Sequence, residues 1–490
     1  MAAARASVAY REIRYHRASR TEQGNRDGHG NDPSRQPAVR CLTAAEQTQC
    51  SIWPRTGQEP ELIETRHIGN AKSAGGFTTN RSWVLFLLVL VYTFNFIDRQ
   101  IVGILAVPIR AELALTDTQL GLMGGLAFAL FYTGLGIPVA LLADRFSRTW
   151  IMTVALAVWS AMTAAGGLAT NFWQLFLARV GVGIGEAGGV APAYSLIADF
   201  FPPTQRARAL AVYSFGIPIG SALGIVFGGV IASAINWRMA FFLVGLSGLI
   251  LAPVFRLTIS EPPRGQFDGH RQRGKPPGLG AIIRTLSRKP CFWLLALGAS
   301  CSSMIGYGMF FWLPSFFVRS HGLSVLHASL FYGAVLLAGG LAGIWAGGWL
   351  GDRFGHRDHA RFAQIPALAF LATVPFYVAG ILSPSLALTF VVLLVPTALG
   401  LIWLGPVMST IQHLVQPGIR ATASAIFLFI INLIGIGLGT YAIGALSDQL
   451  LQRFGADALR YSILAGTGFY LLAAVFFLLA ARWLNEDWEQ

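Results

Sequence analysis

Between Ser82 and Leu484 the chain is a near-continuous series of apolar segments of helical length, separated by short and mostly basic connections. A bilayer core about 30 Å thick needs roughly 20 apolar residues per crossing helix. Only a structure that satisfies its own backbone can live there, because lipid offers an unpaired N–H or C=O no partner. Twelve such segments are predicted, over 82–110, 119–142, 149–169, 172–200, 207–234, 237–258, 290–318, 325–350, 360–382, 386–412, 420–447 and 459–484. Composition agrees, since 54% of the 490 residues are hydrophobic and 12% charged, a balance expected of a membrane chain.

The series is also a duplication. AlaLeuLeuAlaAspArgPheSerArg at 140–148 returns as GlyTrpLeuGlyAspArgPheGlyHisArg at 348–357, each directly after an apolar segment. The repeat is far longer than a stacking module, so the repeated unit is a half-protein. The longest break in the apolar part, basic and rich in Pro and Gly, separates six spans from six. The expected architecture is therefore an all-α membrane protein of twelve transmembrane helices in two pseudo-symmetric six-helix halves, residues 81–259 and 290–490. A linker, 260–289, joins them. Two such halves can rock about a central site, the requirement of alternating access.

Residues 1–80 hold no apolar run and mix both charge signs, which predicts a disordered head without a cleavable signal peptide. The first span is then the insertion signal. The net charge of +13 raises nucleic acid as a partner, but the basic residues sit in short loops rather than on one stripe, so nucleic acid is excluded. Fifteen Lys and Arg fall in or near the even-numbered connections and five on the other side, which places both termini in the cytoplasm by the positive-inside rule. Cys41, Cys50, Cys291 and Cys301 have neither disulfide nor zinc spacing.

Twelve spans, a basic central linker and paired AspArg loops resemble the major facilitator superfamily. Four strings resemble its spinster branch, bacterial members included: PheAsnPheIleAspArgGln at 94–100, AspThrGlnLeuGlyLeuMetGlyGlyLeuAlaPheAlaLeuPheTyr at 117–132, GlyIleGlyGluAlaGly at 183–188 and SerGluProProArgGly at 260–265. The resemblance implies a cytoplasmic gate of Asp144, Arg145 and Arg148 in one half and Asp352, Arg353 and Arg357 in the other. It also implies a hinge at Gly216, Pro218 and Gly220, and a cavity lined by the first, fourth, seventh and tenth spans. Glycine runs at 220–224 and 435–439 predict close helix approach in the fifth and eleventh spans.

A charge inside a span costs about 2.5–3.5 kcal/mol on insertion scales, so it persists where it faces a partner or a cavity. Away from the span ends the first half has four: Asp98 and Arg99 in the first span, Arg179 and Glu186 in the fourth. Adjacent residues lie about 100° apart on a helix, so Asp98 and Arg99 require separate partners. Arg179 and Glu186, two turns apart, share a face. Asp98 and Glu186 are the expected proton-coupling carboxylates. Arg99, Arg179, Tyr194, Tyr307, Phe311 and Trp403 are the expected substrate contacts, a polar wall facing an aromatic one.

The GxGxxG pattern at Gly183, Gly185 and Gly188 lies in an apolar helix rather than after a strand, so it is not a dinucleotide site. His356 and His359 near Asp352 and Asp358 read as a solvated loop, not a metal cluster, and no catalytic constellation appears. Neither metal nor cofactor is expected. The reading is a monomeric, proton-coupled secondary transporter of the bacterial inner membrane, not an enzyme, carrying a small amphipathic molecule that the resemblance implies to be of lysolipid or sphingoid type. An organic-anion/proton symporter, or a non-transporting receptor or scaffold, fits the same spans.

Overall fold

The computed structural model describes residues 38–44, 47–53, 80–267, 279–355, 358–416 and 419–488. The chain divides into two units, Met1–Gly76 and Phe77–Gln490. In the first, Ala38–Ala44 and Gln47–Trp53 pair as antiparallel strands, Ala38 opposite Trp53 and Ala44 opposite Gln47. Over those residues this departs from the structureless head read from the sequence. The β-branched Val39, Thr43, Thr48 and Ile52 favour extended backbone. The rest of the head lies outside the described residues.

The second unit is helical. Ten spans are long and apolar enough to cross a membrane one at a time: Arg81–Leu113, Asp117–Arg145, Arg148–Gly166, Phe172–Phe200, Thr204–Ala234, Trp237–Thr258, Pro290–His321, Val325–Leu350, Arg361–Leu382 and Leu386–His413. An eleventh apolar stretch, Thr422–Asp487, runs for 66 residues, far more than one crossing uses. Gly455, at φ 54°, breaks it. The helix Arg420–Phe454 ends there, a turn Gly455–Asp457 follows, and Ala458–Gly466 with Gly468–Asp487 forms the last crossing. Among the described residues twelve spans result, each close to its expected position. The linker adds a short helix, Leu279–Ser287.

Several spans start where a polar side chain caps the first turn. Asn80, Ser147, Asn171, Asn236 and Ser385 accept from backbone N–H groups of the first, third, fourth, sixth and tenth spans, satisfying donors that have no carbonyl partner within the helix. The span ends nearest the linker form the linker side of the bundle and the opposite ends its far side.

Packing between spans is set by glycine. A Cβ on Gly224 would lie 2.7 Å from the carbonyl oxygen of Ile97, and one on Gly220 would strike Thr93 and Phe96, so the fifth span lies directly on the backbone of the first. On the eleventh span, Gly435 meets Ser303 and Gly439 meets Met304 of the seventh. Both glycine runs therefore act in close helix approach, as read from the sequence. Gly216 and Pro218 lie in the fifth span beside its interruption at Phe215, and Gly216 faces Tyr92. The fourth span is interrupted at 187–189 and the tenth at 400–403, putting irregular backbone inside the bundle where protein covers it.

A side chain at Gly224 has no room, so Gly224→Val should lower stability by about 1–3 kcal/mol through overpacking. Gly136→Ala, where nothing lies within 4 Å of an added Cβ, should be neutral. Thermal unfolding of the purified protein in detergent separates the two, and equal midpoints would contradict the packing argument.

Candidate functional site between the first and fourth spans

The four intramembrane charges form two crossed ion pairs. Arg179 Nη1 donates to Asp98 Oδ1 at 3.0 Å, and Arg99 Nε donates to Glu186 Oε2 at 2.7 Å. Adjacent residues of the first span thus take partners two turns apart on the fourth. Burial is severe, with Glu186 at 0%, Asp98 at 2% and Arg179 at 3% exposure. A lone charge there is expensive, so each pair depends on both members.

The glycines around Glu186 explain how the fourth span reaches the first. A Cβ at Gly183 would lie 2.5 Å from the carbonyl oxygen of Phe128 on the second span, and one at Gly185 2.6 Å from the backbone nitrogen of Trp159 on the third. The GlyIleGlyGluAlaGly string is a packing device that seats the fourth span between its neighbours. Glu186 is the last residue of the helix Phe172–Glu186.

The carboxylates of the two pairs differ in completeness, while each arginine has one nitrogen, Arg99 Nη2 and Arg179 Nε, with no hydrogen-bond partner among the described residues. Asp98 has both oxygens engaged, because its Oδ2 also accepts from the Thr163 hydroxyl of the third span. Glu186 Oε1 and Arg99 Nη2 have no hydrogen-bond partner among the described residues. The Arg99 guanidinium lies 5.1, 4.8 and 4.5 Å from the ring centroids of Phe96, Phe128 and Tyr132, a cation held among aromatic rings. Arg99 and Arg179 line a small cavity whose other wall is Tyr307, Phe310 and Phe311 of the seventh span and Ile436 of the eleventh. The cavity lies between the halves.

The expected polar wall and aromatic wall are less distinct than the sequence implied. Phe96, Phe128 and Tyr132 belong to the first half, as does a stacked pair, Tyr92 on Tyr213, with centroids 4.2 Å apart. Tyr194, 43% exposed, meets Tyr213 edge-on. Tyr307 and Phe311 line the cavity, with Phe311 buried against Gly124. Trp403 is buried in the apolar core within the break in the tenth span and is not among the residues that line this cavity. Arg179 is occupied by Asp98. Trp312 turns away and donates its indole N–H to the Thr440 carbonyl at 2.9 Å.

On the linker side of the first half, Arg148 is the gate residue drawn into a network. It bonds to Asp199, to Glu261 at 2.7 Å, to the Ser195 hydroxyl at 2.8 Å and to the Pro262 carbonyl at 3.1 Å. Glu261 caps the third span by accepting from Thr149 N–H at 2.9 Å and from the Ser147 hydroxyl at 2.9 Å. Arg264 caps the end of the second, donating to the carbonyls of Ala143, Asp144 and Phe146. The SerGluProProArgGly string is thus a clip over a helix end and a helix start, complementary to both dipoles. The Asp144 carboxylate and Arg145 are exposed. Arg353 lies 5.2 Å over the Trp349 ring. Arg357 and the side chain of Asp352 lie outside the described residues. Asp199 and Thr163 were not singled out from the sequence, and Glu261 and Arg264 entered it only within the string at 260–265; Asp199, a carboxylate at the end of an apolar segment, was the available signal.

Partial burial works against the Glu261 carboxylate, yet the Thr149 N–H, Arg148 and Ser147 together hold its pKa below the usual 4.5. A depressed carboxylate contributes stability that is complete above the unfolded value and is lost as pH falls through the folded one. Glu261→Gln should therefore lower the melting temperature at pH 7 and flatten its fall below pH 4.5. An unchanged acid profile would show that the clip is not stabilising. Asp98→Ala leaves Arg179 buried without its partner and should cost about 3–5 kcal/mol, read as loss of monodisperse protein or of thermal stability.

Residues 88–440 match the family model of the Major Facilitator Superfamily. The chain is 34% identical to an MFS-type efflux pump of Mycolicibacterium smegmatis, over 83% of this chain and 94% of that protein. It is 28% identical to human protein spinster homolog 1, over 88% and 85%. Among solved structures, a bacterial homolog of the human lysosomal transporter spinster, inward-facing and unoccupied, superposes with a TM-score of 0.76 at 34% identity, covering 85% of this chain and all of that one. Family match, relatives and fold agree, and the chain belongs to the major facilitator superfamily as a membrane transporter of spinster type rather than an enzyme.

Proposed function

We propose that the protein is a proton-coupled carrier of an amphipathic, lipid-derived small molecule, working as a monomer in a bacterial inner membrane with the linker and both termini in the cytoplasm. The observation that carries the reading is the Arg99–Glu186 pair at the boundary between the halves, one oxygen and one guanidinium nitrogen of which have no hydrogen-bond partner among the described residues. Glu186 is the carboxylate that exchanges a proton. Asp98, both oxygens occupied, holds Arg179 in place. A proton on Glu186 removes the charge that binds Arg99 and frees the guanidinium for an anionic headgroup, so protonation and cargo binding are linked. The rings around Arg99 and the Phe310, Phe311 and Ile436 wall suit the apolar part of such a cargo. The basic linker and the positive-inside count support the orientation, and the resemblance to an inward-facing structure supports a linker side open to the cytoplasm.

Two assays test the reading. A panel of lysophospholipids, sphingoid bases and small organic acids is scored by thermal stabilisation of the detergent-purified protein, which a binder raises by mass action, about 2.7 kcal/mol at a hundredfold excess over Kd. Amphiphiles should stabilise the parent and not Arg99→Ala; stabilisation by small acids alone would favour an organic-anion carrier. In proteoliposomes with an imposed pH gradient, Glu186→Gln should remain folded and lose gradient-driven transport, and full transport by that variant would remove Glu186 from the coupling step.

A further inference from the structure

The hydrogen bonds that join the two halves on the far side are built around one helix start. The second span begins at Asp117, and its first N–H groups turn toward the eleventh span of the opposite half. Asp448 Oδ1 accepts from Asp117 N–H at 3.1 Å, and its Oδ2 accepts from Thr118 N–H at 2.7 Å and the Thr118 hydroxyl at 2.6 Å. Thr116 caps Gln119 N–H from within the same turn. Of the four N–H groups that every helix start leaves unsatisfied, two are satisfied by the other half.

Asp117 is held as firmly. The guanidinium of Arg319, at the end of the seventh span, grips its carboxylate in bidentate fashion at 2.7 and 2.8 Å, and the Ser447 hydroxyl donates at 2.8 Å. Arg110 lies 3.4 Å away. Asp117 is 3% exposed, so the pair is largely shielded from water. One turn deeper, the Thr440 hydroxyl donates to the Gly121 carbonyl at 3.0 Å, and a side chain at Gly121 would collide with the backbone of Thr440 and Tyr441. Ion pair, helix cap and backbone contact thus coincide on one seam.

The opposite ends of the same two spans are differently arranged. The second and eleventh spans run antiparallel, so the end of each lies alongside the start of the other. At the linker side the Asp144 carboxylate is exposed, and the start of the eleventh span has no side-chain cap. One carboxylate caps its neighbour while the other does not.

The geometry points to Asp117, Arg319 and Asp448 as the far-side gate: a cross-half clamp that holds the molecule closed on that side and must break for the far side to open. Its chemistry suits repeated breaking. The cap and the ion pair lie at helix ends, so water replaces the lost partners on opening, and a charged hydrogen bond contributes only about 1.5–3 kcal/mol to stability. A clamp of a few such bonds biases the closed state without locking it.

Spin labels on Ala111→Cys and Gln452→Cys, exposed at the far ends of the two halves, report the opening when the four native cysteines are replaced by serine. The measurement uses the full chain without cargo or pH gradient, so it stands apart from the coupling assignment. Asp448→Asn and Arg319→Gln, near-isosteric changes, should each raise the long-distance population several-fold in electron double resonance. A second pair, Thr204→Cys with Gln364→Cys at the linker side, should shift to shorter distances in parallel. The reversed pair, Asp117→Arg with Arg319→Asp, should restore the parent far-side distribution. Unchanged far-side distances in both single variants, or a reversed pair as open as Asp117→Arg alone, would overturn the assignment.

Discussion

Two buried ion pairs between the first and fourth spans organise the first half of this protein. Four charges within the spans would be hard to insert singly. They are tolerated because Asp98 and Arg99, pointing different ways from adjacent positions, each find the opposite charge on one neighbouring helix. That arrangement dictates the rest: the fourth span must lie against the first, and it must do so with Arg179 and Glu186 on the inner face.

Glycine is the means by which these distances are reached. Gly183 and Gly185 let the fourth span sink onto the second and third, and Gly220 and Gly224 let the fifth sink onto the first. Without a hydrophobic driving force between helices in lipid, close backbone approach and interhelical polar contacts replace it. The same residues that resembled a nucleotide motif are therefore the ones that bring Glu186 to Arg99. Asp98 and Thr163 close one pair against the third span, while Arg99 and Glu186 leave polar atoms unpartnered at the boundary between the halves. The free carboxylate oxygen of Glu186, against the fully engaged carboxylate of Asp98, is the difference between the two pairs.

The two membrane faces are tied in different ways. On the linker side, Arg148, Asp199, Glu261 and Arg264 bind the connection to the first half, capping its own helices. On the far side, Asp117 and Asp448 bind one half to the other. A transporter that rocks about its centre needs halves that are internally stiff and mutually separable, and these two sets of contacts supply one property each.

Apolar length, the repeated AspArg loops and the charge asymmetry were legible from residues alone, because the bilayer penalises every departure from a long apolar helix. The costly residues Asp98, Arg99, Arg179 and Glu186 stood out for the same reason. Charge alone allows one pairing between the two helices, Asp98 with Arg179 and Arg99 with Glu186; that the two helices meet at a depth and rotation that close both pairs is decided by tertiary packing. Trp403 and Phe311 looked alike as aromatic residues on cavity-lining spans; both are buried, and of the two Phe311 is the one that also lines the cavity. Asp117, Arg319 and Asp448 lie at span ends, where charge is inexpensive and therefore uninformative in sequence. Tertiary structure alone brought those ends together, because an interaction between halves depends on which faces meet and not on which residues are present.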